Sequence, residues 1–94
     1  MAEKMPEWLK YNEDGSVDIY LSRAATVAGV KTSTMRMREP LVGDQELVAE
    51  MTGSDASREI RSFSHLCAVT PDEIRQLPMR DYKRLQKAFA GFLD

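Results

Sequence analysis

Residues 35–44 read Met-Arg-Met-Arg-Glu-Pro-Leu-Val-Gly-Asp, and at this stretch a strand pattern stops and a helical pattern begins. Pro40 has no N–H to give to a sheet ladder, and it keeps Glu39 extended. Asp44 is a favourable N-cap residue, so we predict that a helix starts there and that Asp44→Ala costs about 1 kcal/mol. The residues expected to set the fold at this junction are Arg38, Glu39, Pro40, Gly43 and Asp44.

The residues before the junction are predicted to form strands. Apolar and polar residues alternate over residues 17–22, which is typical of a half-buried strand. Gly29 supplies the positive φ of a tight turn, and beyond it Met35 and Met37 are expected to face the core. The pattern predicts a β-hairpin or a three-stranded meander over residues 17–38.

Short amphipathic helices are predicted after the junction. An isolated hairpin is marginal in water, so these helices must cover one face of the sheet. The clearest signal is at Thr70, which is expected to be the N-cap, followed by Pro71 at the first helical position and Glu73 closing a capping box. The fold class is therefore α+β, with about four helices predicted near residues 44–52, 55–68, 70–77 and 79–93.

The composition indicates a small globular domain. The chain has 94 residues, of which 43% are hydrophobic and 30% charged, as in folded proteins. We assign residues 16–94 to one domain and residues 1–15 to a loosely held acidic lead-in segment. The net charge of -2 provides no strong field for polyanions and argues against nucleic acid as the main partner.

Cysteine usage and hydropathy point to the cytoplasm. Cys67 is the single cysteine and cannot form an intramolecular disulfide. The amino-terminal sequence lacks the apolar core of a secretory signal, and no apolar run approaches the roughly 20 residues that span a bilayer. We therefore expect a cytoplasmic protein without membrane insertion.

No catalytic, metal or cofactor site is predicted. His65 lies two residues before Cys67, so the two side chains do not share the helix face that a metal pair would use. We expect a structural or exposed His65 and a buried, apolar Cys67. The glycines are isolated, which argues against a phosphate-binding loop and therefore against nucleotide binding.

Three surfaces are candidates for binding another molecule. Trp8, Phe92 and Leu93 are candidate partner contacts, although packing of Trp8 on its own domain is the favoured interpretation. The exposed hairpin edge is a candidate for strand addition or self-association. The alternative is a nucleic-acid surface on the basic face of the last helix, which carries Arg80, Lys83, Arg84 and Lys87.

The order of these motifs resembles the tail assembly chaperones of contractile-tailed phages and Mu-like prophages. The resemblance is carried by Val-Asp-Ile-Tyr-Leu-Ser at 17–22, the turn at Gly29, Met-Arg-Glu-Pro-Leu-Val-Gly-Asp at 37–44 and Val-Thr-Pro-Asp-Glu-Ile at 69–74. It covers about residues 16–93. Arg23-Ala24 replaces the proline that commonly follows the first strand in that family.

The resemblance implies a non-enzymatic chaperone that binds the tape measure protein during tail morphogenesis and is absent from the mature virion. It implies action in the cytoplasm of the bacterial host, with the tail tube protein and a longer frameshifted product of the same gene as further partners. Self-association is also expected. The alternatives are a small regulatory nucleic-acid-binding domain and a structural component of the tail.

Overall fold

A three-stranded antiparallel sheet comes first in the chain and a layer of helices follows it. The computed structural model describes residues 6–93. The strands are β1 (Leu9–Tyr11), β2 (Val17–Val27) and β3 (Val30–Met37), in the order β1-β2-β3. The helices are α1 (Val42–Glu50), α2 (Asp55–Cys67), α3 (Pro71–Arg75) and α4 (Met79–Gly91). The predicted α+β class is confirmed, and the meander is three-stranded.

The inner face of the sheet forms one side of the core. Ile19 lies at the centre, paired with Leu9 of β1 on one side and with Met35 of β3 on the other. These three side chains are buried, as are Val17 and Met37, which pair with each other. The period-two pattern therefore predicted the buried face of β2 and the burial of both methionines correctly.

The hairpin between β2 and β3 turns at Ala28 and Gly29. Their φ angles are 52° and 82°, so both central residues are left-handed, as a two-residue hairpin loop requires. The predicted positive φ of Gly29 is confirmed. The ladder is irregular between the pairs Tyr20↔Thr34 and Ala25↔Thr32, where β2 carries extra residues.

Part of the predicted lead-in segment, Leu9–Tyr11, forms strand β1 of the sheet. Leu9 is buried, and the hydroxyl of Tyr11 donates a hydrogen bond of 2.8 Å to the carbonyl of Ala88 in α4. The ring of Phe92 also packs edge-on against Tyr11, with 5.5 Å between ring centroids. Residues 1–5 of the predicted segment lie outside the described residues.

Helices α2, α3 and α4 complete the core against the sheet. Their buried apolar residues are Phe63, Leu66, Cys67, Ile74, Leu85 and Ala88. The predicted capping box is present, because Thr70 Oγ1 accepts the N–H of Glu73 at 3.1 Å and Glu73 Oε1 accepts the N–H of Thr70 at 2.9 Å. Ser54 caps α2 by accepting the N–H of Ser57.

Helix α1 differs from the prediction in its start and in its burial. It begins at Val42, and Leu41 is the N-cap residue. The predicted N-cap role of Asp44 is wrong, because Asp44 is the third helical residue and its carboxylate reaches back to accept the N–H of Leu41 at 2.7 Å. The helix has no buried residue and packs mainly on α2.

Candidate functional site

An open groove of about 670 Å³ lies between α1 and α2 and reaches the end of α4. One wall is α1 with the Pro40–Leu41 segment, and the other wall is α2. Apolar side chains dominate its lining, namely Pro40, Leu41, Val42, Val48, Ala49, Phe63, Leu66, Phe89 and Leu93. We call it the α1–α2 groove.

Several of the apolar lining residues face solvent. Val42 is 89% exposed, Leu93 69% and Leu41 65%. Single exposed apolar residues are common on protein surfaces, whereas a contiguous set that lines a concavity is typical of a binding site. The exposed apolar residues in its lining therefore mark the groove as the candidate functional site.

A polar latch holds α1 in position. The Asp44 carboxylate accepts hydrogen bonds of 2.8 Å from both terminal nitrogens of Arg38, which follows strand β3. These bonds, with the N–H of Leu41, hold the pKa of Asp44 well below its usual range. His65 Nε2 lies 3.5 Å from the same carboxylate. The Arg38–Asp44 latch thus ties the start of α1 to the end of β3. Helix α1 depends on this latch because none of its own residues is buried.

The lining of the groove has an excess of negative charge among the described residues. Asp44, Asp55 and Glu59 line it together with one cation, Arg58. Asp55 pairs with Arg58 and Asp44 pairs with Arg38, so Glu59 is the lining carboxylate outside these ion pairs. Glu59 accepts hydrogen bonds from the Tyr82 hydroxyl and, at 2.8 Å, from the Gln86 amide. Burial and the neighbouring Glu59 raise the pKa of Tyr82. Over residues 39–57 the sequence carries five carboxylates and no Lys or Arg.

The structure does not bring the three predicted partner contacts together at the groove. Leu93 lines it, whereas Phe92 packs on Tyr11. Trp8 packs against the core of its own domain, beneath the Arg84 guanidinium, whose carbon lies 5.1 Å from the ring centroid. The favoured interpretation of Trp8 is confirmed, and a role of Trp8 and Phe92 in partner contact stays a prediction.

The predicted basic face is smaller in the structure than in the sequence. Arg84 donates a hydrogen bond of 2.6 Å to the carbonyl of Tyr20 and stacks on Trp8. Its guanidinium is therefore bound by contacts within the domain. Arg80, Lys83 and Lys87 are exposed. Three exposed cations on one face of α4, in a chain of net charge -2, provide little basis for a nucleic-acid surface.

The titratable side chains that sequence analysis considered for chemistry are not clustered. Cys67 is buried, and burial raises the pKa of its thiol to about 12. His65 is exposed beside Asp44. Within residues 6–93 no group of three or more His, Cys, Asp or Glu residues is placed to hold a metal ion. None of the helices in this part of the chain has the length and apolar character needed to cross a membrane.

Two features of this region were missed by sequence analysis. The exposure of Leu41 and Val42 was not foreseen, because their apolar character next to Pro40 suggested only a structural junction. Asp81 was also missed: its side chain is fully buried and accepts the N–H and the hydroxyl of Ser22 at 2.8 and 3.0 Å. An acidic residue in the first turn of a helix usually has a solvent-exposed role, so no sequence signal distinguished it.

Comparison with protein families gives a match. A family model described as "Phage tail assembly chaperone proteins, E, or 41 or 14" matches residues 18–94, which is most of the chain. Searches of curated proteins and of solved structures found no match. The matched range contains β2 from Asp18 onward, β3 and the four helices described above, and with them both walls of the α1–α2 groove.

Proposed function

The chain belongs to the phage tail assembly chaperone family, and from this premise we propose that it binds the tape measure protein during tail morphogenesis. In this proposal the protein is a non-enzymatic chaperone that is absent from the mature virion and acts in the cytoplasm of the bacterial host. The tail tube protein and a longer frameshifted form of the same chain are further proposed partners.

The observation that carries the proposal is the apolar α1–α2 groove. A chaperone must cover the apolar surface of a partner before assembly, and a groove with exposed apolar walls provides such a cover. Leu41, Val42 and Leu93 line the groove and are exposed, and none of them belongs to the buried core. The exposed edge of β3 remains a proposed seam for self-association.

Co-expression with the tape measure protein tests this function. We expect a soluble complex with many copies of this chain per partner, measured by size-exclusion chromatography with light scattering. The control is the tape measure protein expressed alone, which we expect to aggregate. An aggregated partner beside an unbound small protein would contradict the proposal. Mass spectrometry of purified particles tests the second part, since a persistent signal from this chain would make it a tail component.

A further inference from the structure

The walls of the α1–α2 groove determine what kind of backbone can enter it. Both walls are helices, whose N–H and C=O groups are already bonded within each helix. They offer no row of free backbone groups with which an extended peptide could pair. Such walls favour an occupant that satisfies its own backbone hydrogen bonds, as a helix lying in a groove does.

The dimensions of the groove agree with a short helical segment. Its lining runs from Leu41 to Ala49 along α1 and from Asp55 to Leu66 along α2. At 1.5 Å per residue these spans are roughly 13 and 17 Å long, or about two and a half and three helical turns. Three turns present apolar side chains at positions i, i+3 or i+4, and i+7.

The charges around the groove determine which side chains a bound helix can carry on either side of its apolar stripe. Glu59 lines the groove, and Glu46 and Glu50 are exposed on α1. Within residues 6–93, the ion pairs do not include any of these three carboxylates. Glu46 and Glu50 do not line the groove, so they act on an occupant through long-range electrostatics, which salt screens over about 10 Å at 0.1 M.

We propose that the α1–α2 groove binds an amphipathic helix of a partner protein whose apolar stripe is flanked by Lys and Arg. The inference rests on the proposed function, because it names the chemistry of the segment that a chaperone of this family would hold. The apolar stripe would cover Val42 and Leu93, and the basic flanks would lie near Glu46 and Glu59. Covering the groove also stabilises α1, a nine-residue helix that is too short to be stable alone.

Two synthetic helical peptides test the inference without the tape measure protein. They share one apolar stripe at i, i+3, i+4 and i+7 and differ only in flanks, which are Lys in one and Glu in the other. By isothermal titration calorimetry at 50 mM salt, we expect the Lys peptide to bind at least ten times more tightly than the Glu peptide. We expect its affinity to fall as the salt concentration rises. Failure of both peptides to bind, or equal binding of the two, would overturn the inference.

Groove variants show where the peptide binds. Val42→Gln with Leu93→Gln removes two exposed apolar side chains without changing charge, and we expect at least a tenfold loss in affinity for the Lys peptide. Met79→Gln is the matched control, since Met79 is 66% exposed but does not line the groove. An equal loss in the control, or no loss in the double variant, would place the binding elsewhere.

The same variants separate this inference from the proposed function. If the double variant still forms the complex with the tape measure protein, the groove inference fails and the function stands. If wild type forms no such complex but binds the Lys peptide in the groove, the function fails and the inference stands. If the double variant turns a dimer into a monomer by light scattering, the occupant is a second copy of this chain and the inference is overturned.

Discussion

The Arg38–Asp44 latch provides the sharpest test of how the groove is held open. Helix α1 has no buried residue, so its position depends on this latch and on its contacts with α2. We take Asp44→Ala as the perturbation, because it removes every hydrogen bond that the carboxylate accepts. We expect α1 to loosen and the domain to lose stability.

The magnitude follows from the partners of the carboxylate. Loss of the bond to the Leu41 N–H is comparable to the loss of a helix cap, about 1 kcal/mol. The pair with Arg38 is bidentate at 2.8 Å, but the Arg38 side chain is 42% exposed, so solvent screening limits it to about 1 kcal/mol more. The expected total is about 2 kcal/mol. Arg38→Met should cost about 1 kcal/mol, and less in the Asp44→Ala background.

The pH dependence has a definite sign. The pKa of Asp44 is lowered in the folded state, chiefly by the Arg38 guanidinium. Its stabilising contribution is therefore fully present above the unfolded pKa of about 3.9, and it is lost as pH falls from there toward the folded value. The difference in stability between wild type and Asp44→Ala should be constant near pH 7 and shrink below about pH 4.

Urea unfolding followed by Trp fluorescence measures these quantities, since Trp8 is the single tryptophan and packs against the core beneath Arg84 of α4. With a urea m-value of about 1 kcal/mol/M, a loss of 2 kcal/mol lowers the midpoint by about 2 M. A midpoint within about 0.5 M of wild type, or a difference that grows as pH falls, would refute the assigned role of Asp44. Faster hydrogen exchange confined to α1 is the expected local signature.

Three further predictions concern the buried contacts of the domain. Asp81→Ala should cost about 2 kcal/mol in urea unfolding, because Ser22 loses charge-assisted hydrogen bonds at the irregular part of β2. Gly91→Ala should cost about 2 kcal/mol in thermal unfolding, because the new Cβ would overlap the Tyr11 hydroxyl, which is bonded to α4. Cys67 should react with a thiol reagent far more slowly in native protein than in urea at pH 8, because its pKa is raised to about 12 by burial.

The first two of these predictions have matched control variants. Gly43→Ala is the control for Gly91→Ala, since no atom lies within 4 Å of its added Cβ and alanine favours a helix. We expect Gly43→Ala to be neutral or slightly stabilising, and an equal cost at both glycines would refute the contact argument. For Asp81, the Asn variant keeps an acceptor for Ser22, so its free energy of unfolding should fall less than that of the Ala variant. For Cys67, native labelling as fast as in urea would show that the thiol is accessible.

The alternation along β2, the turn at Gly29 and the capping box at Thr70 were predictable because each is a local property of a few neighbouring residues. The start of α1 was missed by two residues. Asp44 accepts the Leu41 N–H from the third helical position, and a carboxylate is favourable both there and at the N-cap. Strand β1 was missed because Leu9–Tyr11 is too short for a periodic signal.

The fold class, the family resemblance and the apolar faces were predictable from the residue order, because hydrophobic period and turn residues act over short distances along the chain. Only the tertiary structure decided that Arg84 is used on Trp8 and that Asp81 is buried beside Ser22. It alone also revealed the α1–α2 groove. These features join residues far apart in sequence, and their energies depend on burial and on partner distance, which are set only when the helices pack on the sheet.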